Sequence, residues 1–282
     1  MFSFICSTIV KDIFALNRLI ASFADYSSKF DELVILNQSE IEIKTPTCQY
    51  QNIRIFVYNE QKGLSIGRNF SFRYITNNYV GFLDDDCYLS ESYLNNLRLT
   101  AEALSPDVIL GSYKDPLTSE YCNCIRNIKS NRYVTSNQAI RFPSISLVVK
   151  KELLDKLLNR ENYLFNEKLG VGTYFGSSEE TELIARLTNY TSRFYYSNEI
   201  YLFHKIEKSY TNYNKTLIYS RGIGALLRVK NARNKCSFRF SLLYIVKSMI
   251  GYFLFICNKI RRTYYKNRII GYIEGFFNYG KR

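Results

Sequence analysis

The sequence predicts an α/β protein in which helices flank a mostly parallel central sheet and a basic helical tail follows the sheet. Three observations support this prediction. Short apolar runs alternate with segments of helical spacing over the first part of the chain. Glycine and proline are sparse, with 13 and 4 residues, and no repeat or low-complexity linker interrupts the pattern. The 282 residues are 46% hydrophobic, which is enough apolar material to bury a substantial core.

The first elements of the sheet follow from the spacing of apolar residues. Residues 2–9 form an apolar run, and residues 13–23 have apolar members at helical spacing. The run LVIL at residues 33–36 is typical of a strand that is buried on both faces of a parallel sheet. Two more strands and a helix are predicted at residues 52–58, 79–83 and 66–75. This alternation predicts right-handed crossovers in a parallel sheet, whose ligands bind beyond the carboxyl ends of the strands.

Three adjacent acids, Asp84, Asp85 and Asp86, follow the strand predicted at residues 79–83. Their carboxylates repel one another, and a divalent cation bound between them relieves that repulsion. Carboxylate oxygens are hard ligands that suit Mg²⁺ or Mn²⁺. The alternative is an acidic turn at the start of the helix predicted near Ser90, where acids are favourable.

The run KGLSIGRNFSFRYITNNYVGFLDDD, Lys62 to Asp86, resembles the core of the family 2 inverting glycosyltransferases of the GT-A fold. The family pattern there is a glycine, a small residue, Arg-Asn, a helix, and an apolar strand that ends in Asp-x-Asp. The matching residues are Gly63, Ser65, Arg68, Asn69, Asp84, Asp85 and Asp86. The resemblance extends, with falling specificity, from Phe2 to about Gly224. It implies a Rossmann-like GT-A sheet, a nucleotide-sugar donor, and a Mn²⁺ or Mg²⁺ ion that neutralises the leaving diphosphate.

The resemblance also implies roles for individual residues near this edge of the sheet. One of Asp84 and Asp85 is expected to reach the ribose, while Asp86 holds the metal, with Asp84 as a further ligand. Arg68 is expected near the nucleobase, and the alternative is a structural arginine that neutralises the acidic edge.

The sequence departs from the family after the second strand. It has Asn37-Gln38-Ser39 where relatives commonly have Asp-Asp-Gly-Ser. The Asn37 amide can still hydrogen-bond a base, but it offers donors and an acceptor where a carboxylate only accepts. The identity of the base therefore stays open, with a UDP-sugar as the expected donor.

The segment GSSEETELIARL, Gly176 to Leu187, predicts a helix with a candidate general base. Glu180 lies one turn before Leu183 and Ile184 on the apolar face. A carboxylate at such an edge should have a raised pKa, which suits a base that takes the proton of the acceptor hydroxyl. The alternative is a capping box in which Glu180 bonds the backbone beside Ser177.

The neighbouring acids have different predicted roles. Glu179 and Glu182 fall toward the polar side of the helix, and Glu182 is spaced to pair with Arg186. Family 2 glycosyltransferases place an acidic pair, usually Glu-Asp, at this point, and the resemblance implies that Glu180 is the base, with Glu179 as the fallback.

The chain has one histidine, His204, which follows an apolar run at residues 200–203 that predicts a late strand. A single histidine beside a strand is usually structural. In the family, a histidine after such a strand often completes the metal site or touches the diphosphate, so both interpretations stay open.

The positive charge is concentrated in the tail. From Arg228 to Arg282 there are 13 Lys and Arg and one acid, Glu274, a net of +12, whereas the preceding residues hold 25 basic and 24 acidic residues, a net of +1. The apolar run at residues 238–256 contains Lys247 near its centre, which costs ~3 kcal/mol on insertion scales. Apolar segments and basic clusters over residues 238–277 suit helices in the interface of an anionic membrane. Packing on the domain or in a dimer ranks second, and nucleic acid third.

The domain prediction has three parts: a nucleotide-sugar-binding half at residues 1–110, an acceptor-binding half at 111–227, and a membrane-associating tail at 228–282. A strand at residues 144–149 enters the acceptor half. The first apolar run is too short to span a membrane and lacks the flanks of a signal peptide. Seven scattered cysteines and one histidine disfavour a zinc site and fit a reducing cytosol.

Together these features predict a metal-dependent inverting glycosyltransferase, peripheral on the cytoplasmic face of a bacterial membrane, that acts on a glycan or lipid-linked glycan in polysaccharide biosynthesis. Two alternatives remain. A nucleotidyltransferase would need a glycine-rich phosphate loop, and residues 2–17 contain no glycine. An inactive binding protein of the same fold would tolerate replacement of Asp86 and Glu180.

Overall fold

A computed structural model describes residues 1–43, 52–122, 127–206, 212–230 and 232–281. They form two compact units: Met1–Leu164 with Tyr190–Ile206, and Phe165–Asn189 with Glu207–Arg282. These boundaries follow compactness, whereas the three-part division predicted from the sequence follows donor, acceptor and tail functions.

Among the described residues of the first unit, nine strands form one sheet. The strands are β1 (Phe2–Thr8), β2 (Glu32–Asn37), β3 (Ile53–Val57), β4 (Tyr79–Leu83), β5 (Tyr88–Leu89), β6 (Val108–Lys114), β7 (Arg132–Val134), β8 (Leu147–Lys150) and β9 (Phe194–Phe203). Their order in the sheet is β3-β2-β1-β4-β8-β6-β9-β5, and β7 pairs with β9. Strands β1 to β4 are mutually parallel where they pair, while β8 runs antiparallel to both β4 and β6. The helices of this unit are α1 (Ile13–Tyr26), α2 (Leu64–Phe72), α3 (Tyr93–Leu104), α4 (Ser136–Ala139) and α5 (Lys151–Glu161). The predicted mostly parallel α/β sheet is confirmed.

The predicted elements before residue 84 are all present, with small shifts at their ends. Two later predictions need correction. The strand predicted at residues 144–149 begins as a 3-10 turn, Ser144–Ser146, capped by the fixed backbone of Pro143, and only Leu147–Lys150 is extended. The helix predicted near Ser90 begins at Tyr93, because β5 ends at Leu89 and a turn follows it, in which the Tyr93 N–H donates to the Ser90 carbonyl oxygen at 3.0 Å.

The register of the central strands brings three strand ends to one edge of the sheet. Thr8, the last residue of β1, pairs with Asn37, the last residue of β2. On its other side β1 pairs with β4, with Cys6 opposite Leu83, so Asp84 follows at the same edge. Every residue of β1, β2 and β4 is buried, as expected for strands covered on both faces.

A buried carboxylate, Asp31, ties loops together near the amino end of β1. It accepts hydrogen bonds from the backbone N–H of Phe2 at 3.2 Å and of Ser28 at 3.0 Å, and it pairs with Arg98. Burial opposes its charge, but the hydrogen bonds from Ser28 and Arg98 outweigh that effect and lower the pKa of Asp31.

The second unit consists of helices that approach one another closely. They are α6 (Glu179–Leu187), α7 (Tyr213–Leu226), α8 (Lys235–Leu254) and α9 (Lys259–Asn278). A Cβ atom on Gly275 of α9 would lie 1.9 Å from the Arg221 carbonyl oxygen of α7, and one on Gly224 would lie 2.0 Å from the Tyr272 carbonyl oxygen. Only glycine permits this approach. Among the described residues, no helix combines the length and the apolar composition needed to span a bilayer.

Candidate functional site

Three predicted metal ligands lie together in the first unit. One ligand atom from each of Asp84, Asp86 and His204 lies within 4.8 Å of the other two. His204 Nε2 is 3.1 Å from an Asp86 carboxylate oxygen, and the His204 backbone N–H donates to the Lys114 carbonyl oxygen at 3.0 Å. The Nδ1 atom of His204 is buried without a hydrogen-bond partner among the described residues. Two carboxylates and an imidazole are donors that Mn²⁺ accepts, and the carboxylates also suit Mg²⁺. The residues present therefore fit a divalent ion.

The carboxylates of Asp84 and Asp86 favour the protonated form of His204. Burial opposes protonation of His204, but the hydrogen bond and charge of Asp86, together with the charge of Asp84, raise its pKa. The hydrogen bond from His204 is also the main cause that lowers the pKa of Asp86. A metal ion held by His204 would have to replace that proton, so its binding would be coupled to pH.

Asp85 is held away from this cluster by the end of β1. Its carboxylate accepts a hydrogen bond from the Thr8 hydroxyl. Burial is the main cause that raises the pKa of Asp85, and the charge of Asp86 adds to it. Thr8 was not among the residues predicted from the sequence, although its position at the carboxyl end of the first strand marks it as an edge residue.

Arg68 is fully buried beneath the acidic edge. Its guanidinium donates to Asp84 at 3.1 Å and to the Ser144 hydroxyl at 2.9 Å, and it lies 5.8 Å from the centroid of the Phe82 ring. Gly67 allows α2 to pack closely on β1, since a Cβ atom at this position would lie 2.0 Å from the Ser7 hydroxyl oxygen. This is the arrangement of the structural alternative, in which the arginine neutralises the acidic edge. A contact with the nucleobase stays a prediction.

Asn37 is buried at the end of β2, where its side chain shapes the following loop. Its Nδ2 donates to the Ile41 carbonyl oxygen at 2.7 Å, and its Oδ1 accepts from the backbone N–H of Ser39 at 2.9 Å. The predicted contact between Asn37 and a base stays untested.

The acidic pair Glu179-Glu180 opens α6 in the second unit. Glu179 is buried and Glu180 is half-buried. The capping-box interpretation is wrong: the N-cap is Ser178 in a left-handed conformation with φ of 73°, and no side-chain hydrogen bond caps this helix among the described residues. Ser177 instead donates to the Tyr219 carbonyl oxygen at 2.7 Å.

Glu182 and Arg186 form the predicted i, i+4 pair, with N–O distances of 2.7 and 2.9 Å. The expectation that Glu179 and Glu182 lie on a polar side is wrong, because Glu182 and Arg186 are fully buried and Glu179 is nearly so. The segment before α8 contacts the C-terminal end of this helix: Asn234 Nδ2 donates to the Ala185 carbonyl oxygen at 2.6 Å.

Tyr219 of α7 is a neighbour of the acidic pair that the sequence analysis did not identify. Burial is the main cause that raises its pKa; Lys215 acts in the opposite direction, and the charges of Glu179 and Glu180 add to the rise. The Lys215 ammonium lies 5.3 Å from the centroid of the Tyr219 ring. The acids at the start of α6 therefore share their surroundings with a cation and a phenol, residues that no motif in the sequence indicated.

The sequence was compared with known families and proteins. Residues 15–136 match the family described as Glycosyl transferase family 2. Glycosyltransferase GlyA of Streptococcus pneumoniae serotype 4 is 24% identical over 102 residues, which are 35% of this chain and 15% of that relative. The match therefore spans a small part of the length of this curated relative.

Solved structures with similar folds cover nearly the whole chain. S. aureus TarS 1-349, solved in complex with UDP-GlcNAc, aligns over 99% of this chain and 91% of that chain, with a TM-score of 0.60 and 17% identity. Mannosyltransferase PcManGT from Pyrobaculum calidifontis, solved with GDP-Man and Mn²⁺, aligns over 98% and 87%, with a TM-score of 0.63 and 13% identity. At such identities the likeness establishes the fold, which confirms the predicted GT-A architecture. The matched residues, 15–136, include Asp84 to Asp86 at the acidic edge of the sheet, so this part of the chain is similar to glycosyl transferase family 2.

Proposed function

We propose that the chain is a metal-dependent, inverting glycosyltransferase that moves a sugar from a nucleotide-sugar donor to an acceptor hydroxyl. The observation that carries this proposal is the cluster of Asp84, Asp86 and His204 beyond the end of β4. In parallel α/β sheets this edge is where ligands bind. An acidic turn that merely begins a helix has no need of a half-buried histidine that follows a strand far along the chain.

Asp84, Asp86 and His204 would hold a Mn²⁺ or Mg²⁺ ion, which supplies Lewis-acid stabilisation of the diphosphate as it leaves. Arg68 orients Asp84, because it is buried and donates to that carboxylate at 3.1 Å. Thr8 holds Asp85 toward the sheet edge, where Asp85 is available to a ribose hydroxyl.

Glu180 is the proposed general base, with Glu179 as the fallback. Inversion requires one carboxylate that takes the proton of the acceptor hydroxyl as its oxygen attacks the anomeric carbon. The partial burial of Glu180 at the start of α6 supports this role. Glu182 does not compete for it, because both of its oxygens are engaged by the buried Arg186.

The proposed donor is a UDP-sugar, supported by the TarS complex with UDP-GlcNAc, although the GDP-Man complex of PcManGT keeps a GDP-sugar as the second candidate. The proposed acceptor is a glycan or lipid-linked glycan in bacterial polysaccharide biosynthesis. The strongly basic tail, with its net charge of +12, supports a peripheral position on the cytoplasmic face of the cell membrane.

A thermal-shift panel tests the donor site. The ligands are UDP, UDP-GlcNAc, GDP, GDP-Man, CMP and dTDP, each with and without Mn²⁺. The proteins are wild type, Asp86→Ala and the control Asp25→Ala, which removes an exposed acid outside the cluster. We expect one nucleotide to stabilise wild type and Asp25→Ala only with metal, and to leave Asp86→Ala unchanged. The absence of a shift with every nucleotide would reduce the proposal to a likeness of fold.

A further inference from the structure

Helix α8 buries small residues and exposes large apolar ones, which is the reverse of the pattern in a helix that faces water. Its buried side carries the small residues Ser237, Ser241, Ser248 and Gly251. Its outer side carries large apolar side chains that are 40% to 72% exposed; they include Leu242, Val246, Met249, Ile250, Phe253 and Leu254. At 3.6 residues per turn these positions cover roughly half of the helix circumference. A water-facing helix would bury this apolar stripe and expose its serines.

The small residues of α8 have their packing partners within the second unit. A Cβ atom on Gly251 would lie 2.4 Å from the Tyr265 ring of α9, and Ser241 donates to the Ile223 carbonyl oxygen of α7 at 3.4 Å. Tyr244 bonds the Ser220 hydroxyl at 2.6 Å. Close packing through small residues, with large apolar side chains outside, is how helices pair when their surroundings are apolar. The outer face of α8 is therefore not the side that packs on α7 and α9.

Cations stand at both ends of this apolar face. Exposed basic residues flank α8 on both sides. Lys230 and Arg233 precede it, Lys235 and Arg239 lie near its start, and Lys259, Arg261, Arg262 and Lys266 follow it. Lys247 is exposed and has a long stem that can carry its ammonium toward the polar side. Glu274 is the only acid from Arg228 onward, and Arg221 donates to its carboxylate at 2.7 Å. The surface thus combines an apolar centre with positively charged ends.

We propose that the outer face of α8 is a docking surface for an anionic lipid bilayer, in which the helix lies in the plane of the interface. The apolar side chains would enter the acyl boundary while the flanking cations meet anionic headgroups. A second copy of the chain fits less well, because face-to-face pairing would bring two tails of net charge +12 together. The inference rests on the membrane location proposed above and is independent of the donor chemistry.

The chain contains no tryptophan, so one introduced tryptophan reports on its own surroundings. The reporter is Phe253→Trp on α8, and the control is Phe14→Trp, which replaces an exposed ring in the first unit. Both full-length proteins are mixed with phosphatidylcholine vesicles, with and without about one third phosphatidylglycerol, and with brominated lipids as quenchers. We expect a blue shift and quenching at position 253 with the anionic vesicles, and neither at position 14.

Two variant pairs separate the apolar and the charged contributions in vesicle co-sedimentation. We expect Leu242→Ser with Phe253→Ser to lower partitioning about a hundredfold, since each loses roughly a tenfold apolar contribution. Arg239→Ser with Lys247→Ser should lower it about fivefold per cation on anionic vesicles and little on neutral ones. Circular dichroism checks that these exposed substitutions leave the helices intact.

Three results would overturn the docking surface: wild type that stays in solution, vesicle binding without quenching at position 253, or a lipid-free dimer that already shields position 253. The thermal-shift panel is repeated on the serine variants, which should keep their metal-dependent nucleotide response. Loss of vesicle binding alone therefore removes the membrane surface, while loss of the nucleotide response in wild type removes the transferase proposal.

Discussion

Replacement of His204 by alanine should weaken metal binding and remove its pH dependence. The ligand atoms of Asp84, Asp86 and His204 lie within 4.8 Å of one another, so one ion can reach all three. Loss of an outer-shell partner alone lowers metal affinity about 10- to 100-fold. Loss of a direct ligand should therefore cost at least about tenfold, or ~1.4 kcal/mol. The exposed control Asp25→Ala should bind Mn²⁺ like wild type.

The sign of the pH effect follows from the raised pKa of His204. Because only the neutral imidazole binds a metal, Mn²⁺ affinity of wild type should fall as pH falls through that pKa, by about tenfold per pH unit for one exchanged proton. His204→Ala keeps only carboxylate ligands, a residue type whose ordinary pKa lies well below that of histidine, so its weaker affinity should be flat over this range.

The assay combines two readouts. The electron paramagnetic resonance signal of free Mn²⁺ gives the affinity at each pH. The chain has a single histidine, so the imidazole region of a ¹H–¹⁵N spectrum holds one set of signals, which bound Mn²⁺ should broaden. The reasoning is refuted if His204→Ala binds Mn²⁺ within twofold of wild type with the same pH profile, or if the imidazole signals are unaffected by the ion.

Three further predictions concern the base, the tail and the core. Glu180→Gln should lower sugar transfer by about 10²- to 10⁴-fold with unchanged donor binding in calorimetry; if Glu179→Gln has that effect instead, the base is Glu179. Gly275→Ala should destabilise the protein by about 1–3 kcal/mol in urea unfolding, because the added Cβ would overlap a backbone carbonyl oxygen of α7. The control Ile273→Ala, at an exposed position of the same helix, should change the free energy of unfolding by no more than about 1 kcal/mol. Equal losses in the two variants would contradict the packing argument. Asp31→Asn should lower the free energy of unfolding by about 1–3 kcal/mol at pH 7. Because folding lowers the pKa of Asp31, this loss should be constant at pH values above the ordinary pKa of aspartate and should shrink as pH falls through the folded pKa. A loss that does not change with pH would contradict this role of the Asp31 charge.

The sheet could be predicted as far as its first four strands because each contains an apolar run, and in β1, β2 and β4 that run is buried throughout. The same reasoning located Asp84 to Asp86 at the carboxyl edge. The partners of these acids were less accessible to sequence reasoning. Ser144 accepts a hydrogen bond from Arg68 although the two lie 76 residues apart, and no local pattern in the sequence predicts that contact. Thr8 is the exception, since its strand end could have been read from the first apolar run.

In the second unit, the spacing of residues along the sequence did not predict which sides of the helices are buried. Spacing identified the Glu182–Arg186 pair but placed it toward a polar side, because periodicity carries no information on what covers a helix. The contacts of α6 come from far along the chain: Asn234 lies 49 residues from Ala185, whose carbonyl oxygen accepts its hydrogen bond. In α8, serine on the buried side and leucine outside reverse the usual association of polarity with exposure. Only the folded arrangement reveals which face of that helix is free.

The most direct test of the transferase proposal is the fate of the donor when water is the acceptor. Purified chain is incubated with Mn²⁺ and α-linked UDP-GlcNAc or GDP-Man, and proton NMR follows the anomeric signals of the released sugar before they equilibrate. The account predicts release of a nucleoside diphosphate and the β-anomer, dependent on metal and abolished in Glu180→Gln. Release of the α-anomer would contradict inversion, and an unaltered donor across the nucleotide-sugar panel would contradict the proposed activity itself.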